Sequence, residues 1–89
     1  MPRVEVPTRY RVPTKGEAII EVSGATVRAC IDEIEVRYPG FRKLIIDSKG
    51  DLNRFVKLFV NGEGLARNAL DAPIASDDSL EIVAAAAGG

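Results

Sequence analysis

The chain has no histidine and only one cysteine among its 89 residues. Without an imidazole, Ser/His/Asp triads, Cys–His dyads and most catalytic metal sites lose their usual base or ligand. The lone thiol, Cys30, leaves no partner for an internal disulfide and no thiolate cluster for zinc. There is no Walker-type phosphate loop. The nearest glycine pattern, Gly62-x-Gly64 after Asn61, reads as turn chemistry. Twelve basic and 13 acidic residues, net −1, are mixed along the chain without a basic stripe. That balance argues against a nucleic-acid partner. No apolar run approaches membrane-spanning length and no charged-then-apolar signal opens the chain. A membrane partner is therefore not expected, and the cytoplasm is the expected compartment. No metal site and no bound cofactor are expected. As an autonomous enzyme the chain is poorly equipped.

What is present is enough for one domain with its own core. A composition of 46% hydrophobic and 28% charged residues is that of an ordinary globular protein. Val4, Val6, Thr8, Tyr10 and Val12 alternate with polar residues and proline, which predicts a half-buried strand across residues 3–12. Pro7, on the outward set, cannot donate to a ladder, so the strand should be unpaired there or lie at an edge. Pro13-Thr14-Lys15-Gly16 reads as a turn. Ala18, Ile20 and Val22 then supply the inward face of a second strand, closing an opening hairpin.

Thr26 is placed to cap a helix whose apolar stripe runs Val27, Cys30, Ile31, Ile34 and Tyr38. Glu33 and Arg37 are spaced for an i,i+4 pair, and Pro39-Gly40 stops the helix. Cys30 lies on the stripe and reads as a core residue rather than a reactive thiol. Residues 41–46 predict a short second helical turn with Phe41, Leu44 and Ile45 against the sheet, and Asp47 to Asp51 a loop. A strand is expected over residues 54–60, with Val56, Leu58 and Val60 on one face and Phe55, Lys57 and Phe59 on the other. Asn61-Gly62 turns the chain. Residues 63–78 have no clear period and predict a loop with one short strand or turn. Leu80-Glu81-Ile82-Val83 is the last strand.

Hairpin, helix, strand, loop and final strand make a two-layer α+β domain, a mixed sheet packed on one main helix in the β-grasp (ubiquitin-like) arrangement. The domain is expected to span residues 1–83. Residues 84–89, Ala-Ala-Ala-Ala-Gly-Gly, carry no charge and no large side chain. They read either as a thin arm presenting the Gly89 carboxylate or as an ordinary frayed or appended terminus. An arm works best if it leaves the sheet from an inner strand.

The residues resemble the ubiquitin-like sulfur carriers, relatives of the small molybdopterin-synthase subunit and the thiamin sulfur carrier. The likeness covers nearly the whole chain. Beyond the opening strand it rests on Gly24-Ala25-Thr26-Val27, Tyr38-Pro39-Gly40, Arg54 to Asn61, Asp77-Asp78-Ser79-Leu80 and Gly88-Gly89. Within the family the segments are most similar to carriers serving cysteine biosynthesis. Two departures stand out. Ser76-Asp77-Asp78 replaces a common Asp-Gly-Asp, and Ala84-Ala85 stands where the family often has proline, which leaves the subfamily open.

The resemblance implies a protein cosubstrate rather than an enzyme. Gly89 would be adenylated by an ATP-dependent, ubiquitin-activating-type adenylyltransferase and converted to a thiocarboxylate, with a sulfur-accepting synthase as second partner. Gly88, Ala87 and Ala86 would thread the tip into an enclosed site, which demands small residues. Two other uses of the same terminus stay open: the small subunit of a molybdopterin synthase, and a modifier conjugated to lysines through Gly89. Phe55 and Phe59 read equally as a partner patch or as a satellite core under a loop. Arg54, Lys57 and Arg67 read as polar rim contacts or as solvated surface.

Overall fold

The computed structural model describes residues 1–84; the expectations for Ala86, Ala87, Gly88 and Gly89 lie outside the described residues. The elements are β1 (Arg3–Glu5), β2 (Ile19–Glu21), α1 (Val27–Arg37), α2 (Arg42–Ile45), β3 (Val56–Val60), β4 (Glu63–Gly64) and β5 (Ser79–Ala84). They form a five-stranded sheet in the order β2-β1-β5-β3-β4. β1 and β5 run parallel; every other pair is antiparallel. Val4, Ile20, Val56, Leu58, Leu80 and Ile82 form the buried face of this sheet, and α1 supplies Val27, Cys30, Ile31 and Ile34 to the same core. This is the expected mixed sheet on one main helix.

The helix forms where its stripe and caps place it. The Thr26 hydroxyl accepts from the Ala29 N–H at 3.1 Å. The two N–H groups before it, otherwise orphaned at a helix start, donate across the fold: Val27 to the Ala72 carbonyl and Arg28 to the Leu70 carbonyl. Gly24 is required by contact, since a Cβ there would stand 2.7 Å from the Cys30 nitrogen and 2.8 Å from the Ala29 carbonyl carbon. The turn between β3 and β4 is Asn61-Gly62, both at positive φ (52° and 85°), as a two-residue hairpin demands.

The opening strand is shorter than its alternation predicts. Pairing with the second strand continues to Val6, whose N–H meets the Ala18 carbonyl, and ends at Pro7. The chain then coils into a 3₁₀ turn at Thr8–Tyr10. Tyr10 is buried by that turn rather than by strand alternation, while Thr8 is exposed and Val12 is 87% exposed. A residue without an N–H had ended the ladder, and the period-two pattern beyond it carried no strand.

β3 likewise starts at Val56 rather than at residue 54. The Val56 N–H bonds the Asn53 carbonyl and the Phe55 N–H bonds the Asn53 side chain, so Arg54 and Phe55 sit on a turn. The segment between β4 and β5 carries Leu70 and Ile74 into the core, a burial its aperiodic sequence does not signal. β5 extends to Ala84, one residue past the expected strand end.

Candidate functional site: the root of the C-terminal segment

β5 lies in the middle of the sheet, with β1 on one side and β3 on the other. Its last residue, Ala84, is in register with Val56, which is fully buried. Whatever follows Ala84 therefore starts from an inner strand, held at that point by its pairing with β3.

The four proposed docking residues fall on or just before β3. Lys57 is exposed on the outer face of the sheet and in register with Val83. Phe59 is half-buried on that face, between Glu81 on one neighbouring strand and Gly64 on the other. A Cβ at Gly64 would lie 3.5 Å from the Phe59 ring, so the glycine leaves room for it. Phe55 is half-buried on the turn, and the Arg54 guanidinium stacks on its ring at 4.9 Å. That contact holds an otherwise exposed arginine beside the root of the C-terminal segment.

Arg67, read from the sequence as a rim contact or solvated charge, is exposed and in addition bonded to the backbone. Its guanidinium donates to the carbonyls of Val56 (3.1 Å), Leu52 (3.2 Å) and Asn53 (2.8 Å). It ties the loop after β4 to the turn that carries Arg54 and Phe55, a positioning role suited to a fork of fixed donors. The rest of the outer face, Glu5, Ile19, Glu81 and Val83, was not singled out in the sequence. Ile19 was visible as an apolar residue between the outward-facing Glu17 and Glu21; it is 53% exposed.

At the far end of β5, Ser76-Asp77 forms the approach turn. The Asp78 carboxylate accepts from the Ala75 N–H and from the Asn61 side-chain amide, both at 2.8 Å. Asn61 in turn accepts from the Ser79 N–H. The departure from Asp-Gly-Asp thus still yields a turn, closed by Asp78 and braced to the β3–β4 hairpin. The same bonds, the Ala75 N–H first and Asn61 second, hold the Asp78 carboxyl below its ordinary range. Glu35 is lowered in the same way by the N–H groups of Arg42 and Gly40, joining the end of α1 to α2. Cys30 is buried and its thiol is pushed up by that burial and by Glu33, as suits a core residue. No helix among the described residues is long and apolar enough to cross a membrane.

A mixed sheet in the order β2-β1-β5-β3-β4 packed on one main helix is the β-grasp, ubiquitin-like fold. The comparisons with known proteins agree. The ThiS family model matches residues 4–89, and the chain belongs to that family. It is 38% identical to the sulfur carrier protein CysO of Mycobacterium tuberculosis and of Mycobacterium bovis, over 97% of this chain and 96% of the relative. Among solved structures it resembles the Amycolatopsis orientalis BexX/CysO complex (36% identity, TM-score 0.91, all of both chains). It also resembles Mycobacterium tuberculosis CysO (35%, TM-score 0.89, 97% of this chain and all of the other). Haloferax volcanii SAMP1 shares the fold at 21% identity, with a TM-score of 0.77 over 99% and 98% of the two chains. The chain is a sulfur carrier of the ThiS family, a protein on which partner enzymes act.

Proposed function

We propose that the sulfur travels on the C-terminal carboxylate of Gly89 and serves cysteine biosynthesis or the synthesis of another sulfur-containing metabolite. The observation that carries this reading is the position of β5, an inner strand paired with β1 over Ser79–Glu81 and with β3 as far as Ala84, leading directly into residues 85–89. A terminal carboxylate with a pKa near about 3.5 is ionised at neutral pH and is a poor acyl donor. An ATP-dependent adenylyltransferase therefore joins it to AMP, releasing pyrophosphate. Sulfide then attacks the acyl carbon, the bond to AMP breaks, AMP leaves, and a thiocarboxylate remains on Gly89. In the acceptor enzyme that sulfur attacks an electrophilic carbon of a metabolite and displaces a leaving group from it, forming a thioester. Cleavage of the acyl–sulfur bond by water releases the sulfurated product and restores the carboxylate.

In this scheme the carrier's own residues bind and deliver. Gly88, Ala87 and Ala86 thread the tip, since residues without bulk fit an enclosed channel. Phe55, Phe59, Lys57 and Arg54 flank the root as the docking rim. The test is an intact mass spectrum of the chain from its native cell. A species heavier by one oxygen-to-sulfur exchange, mapped to Gly89, is expected. A single unmodified species that stays unmodified with ATP, sulfide and the cell's adenylyltransferase overturns the reading.

A further inference from the structure

The sheet forks beside the root of the C-terminal segment. In a parallel ladder, every second residue of one strand bonds the carbonyl before its partner and the N–H after it. Arg3, in register with Ser79, donates to the Asp78 carbonyl at 3.1 Å. Two residues on, Glu5 takes the same place against Leu80 and Ile82. Residue 7 would come next, its N–H reaching the Ile82 carbonyl and its carbonyl reaching the Ala84 N–H. Residue 7 is proline and has no N–H. Its carbonyl is already taken by the Tyr10 N–H at 2.9 Å, where the chain turns away. Among the described residues no side chain donates to the Ile82 carbonyl or accepts from the Ala84 N–H. A cleft of about 410 Å³ opens there, lined by Pro7, Arg11, Ile19, Glu81, Val83 and Ala84. Arg11 is pinned at its wall by a bond to the Val6 carbonyl.

The charges at this fork identify what it takes. Glu5 and Glu81 are register partners on the exposed face, side by side across the parallel pair. Like charges directly opposite destabilise a sheet. Among the described residues no basic side chain pairs with either; Glu5 has only the Ser79 hydroxyl, at 2.8 Å. The fork thus combines an open strand edge, an apolar floor of Ile19 and Val83, and two carboxylates that form no ion pair among the described residues, with the single cation of Arg11 at its wall. All of them adjoin the strand that leads to residue 89.

We propose that the fork receives an extended segment of the enzyme that acts on Gly89, added as a strand against Ile82–Ala84. A lysine or arginine of that segment lies over Glu5 and Glu81. This rests on the reading of Gly89 as the worked position. An enzyme that adds a strand here grips the base of the tail by its backbone, and so needs no large side chain along the tail itself.

The test is ATP–pyrophosphate exchange by the adenylyltransferase purified from the same cell, with the full chain as varied substrate. Glu5→Gln/Glu81→Gln is compared with the parent, and the melting temperature of each is recorded. The expected result is a KM for the carrier raised about tenfold with kcat unchanged, while the melting temperature holds or rises because a repulsion is gone. Raising the salt from about 0.05 to about 0.5 M should raise the parent's KM in the same direction, a measurement independent of any variant's folding. A variant KM within about twofold of the parent's, or a parent KM insensitive to salt, overturns the inference while leaving Gly89 as the site. A parent chain that supports no exchange overturns the Gly89 reading and the inference with it. A concentration-dependent dimer of the free chain, lost in the variant, assigns the fork to a second copy and also overturns it.

Discussion

Val56 faces Ala84 across the β3–β5 ladder, so the residue from which the C-terminal segment departs is held opposite a fully buried core valine. Core packing and the start of the C-terminal segment therefore meet at one pair. Val56→Ala removes two buried methyl groups and should cost about 2 kcal/mol of stability. If the core holds the arm only by holding β5, adenylation below the lowered melting temperature should keep its kcat. Chemical denaturation alongside pyrophosphate exchange checks both halves.

Gly89→Ala, or one residue added after Gly89, should abolish thiocarboxylate formation without moving the melting temperature. The first places a methyl group beside the reacting carboxylate in a closed channel, and the second moves the carboxylate away. A mass spectrum after incubation with ATP, sulfide and the adenylyltransferase reads the outcome. Turnover equal to the parent's would remove Gly89 from the chemistry.

Gly24→Ala should be far more harmful than its exposed surroundings suggest. The new Cβ would press on backbone atoms of Ala29 and Cys30 at 2.8 and 2.7 Å, and neither can swing aside as a side chain would. Overpacking of this kind costs about 3 kcal/mol. Amide exchange in the first turn of α1 should rise with it, because Thr26 and the loop carbonyls of Leu70 and Ala72 cap that same turn.

The helix was legible because its signals agree: a 3.6-residue stripe, Thr26 before it and Pro39-Gly40 after it. The final strand and the Asn61-Gly62 turn were legible for the same reason. β1 was over-read because the alternation through Val12 survives in the sequence after Pro7 has ended the ladder. Leu70 and Ile74 were missed because their burial follows from the loop's carbonyls reaching α1, a long-range fact with no local period. The fork was not visible at all. It exists because residue 7 comes level with Ile82, and register between strands some 75 residues apart is not written in either strand.

Stability should fall on the acid side in a defined way. Glu35 is held below its ordinary 4.5 by the N–H groups of Arg42 and Gly40, and Asp78 below its ordinary 3.8 by Ala75 and Asn61. A carboxyl with a depressed folded value contributes stability above its unfolded value and loses it as pH falls through the folded one. The melting temperature should therefore be flat near neutrality and begin to drop below about pH 4.5, with Asp78 adding to the slope below about 3.8. Both groups face water, so each contributes a shallow slope rather than a step. Glu35→Gln should lower the neutral plateau and flatten the acid limb. An unchanged limb would show that these bonds do not tie α1 to α2.

Two arginines separated by 13 positions should fail in opposite ways. Arg67 donates to the carbonyls of Leu52, Asn53 and Val56, so Arg67→Ala leaves three acceptors to water and frees the turn before β3. A loss of about 1–2 kcal/mol is expected, and Arg67→Lys should not restore it, since one ammonium cannot span three carbonyls. Among the described residues Arg54 makes no hydrogen bond or ion pair and stacks on the Phe55 ring, and Arg54→Ala should leave the melting temperature within about a degree of the parent's. Its cost should fall instead on the carrier's KM for the adenylyltransferase, by a few-fold, if the stack belongs to the docking rim. Melting curves and exchange kinetics on both variants separate the roles. An Arg54 variant unchanged in both would make the stack plain surface, and the docking rim would then reduce to Lys57 and the two aromatics.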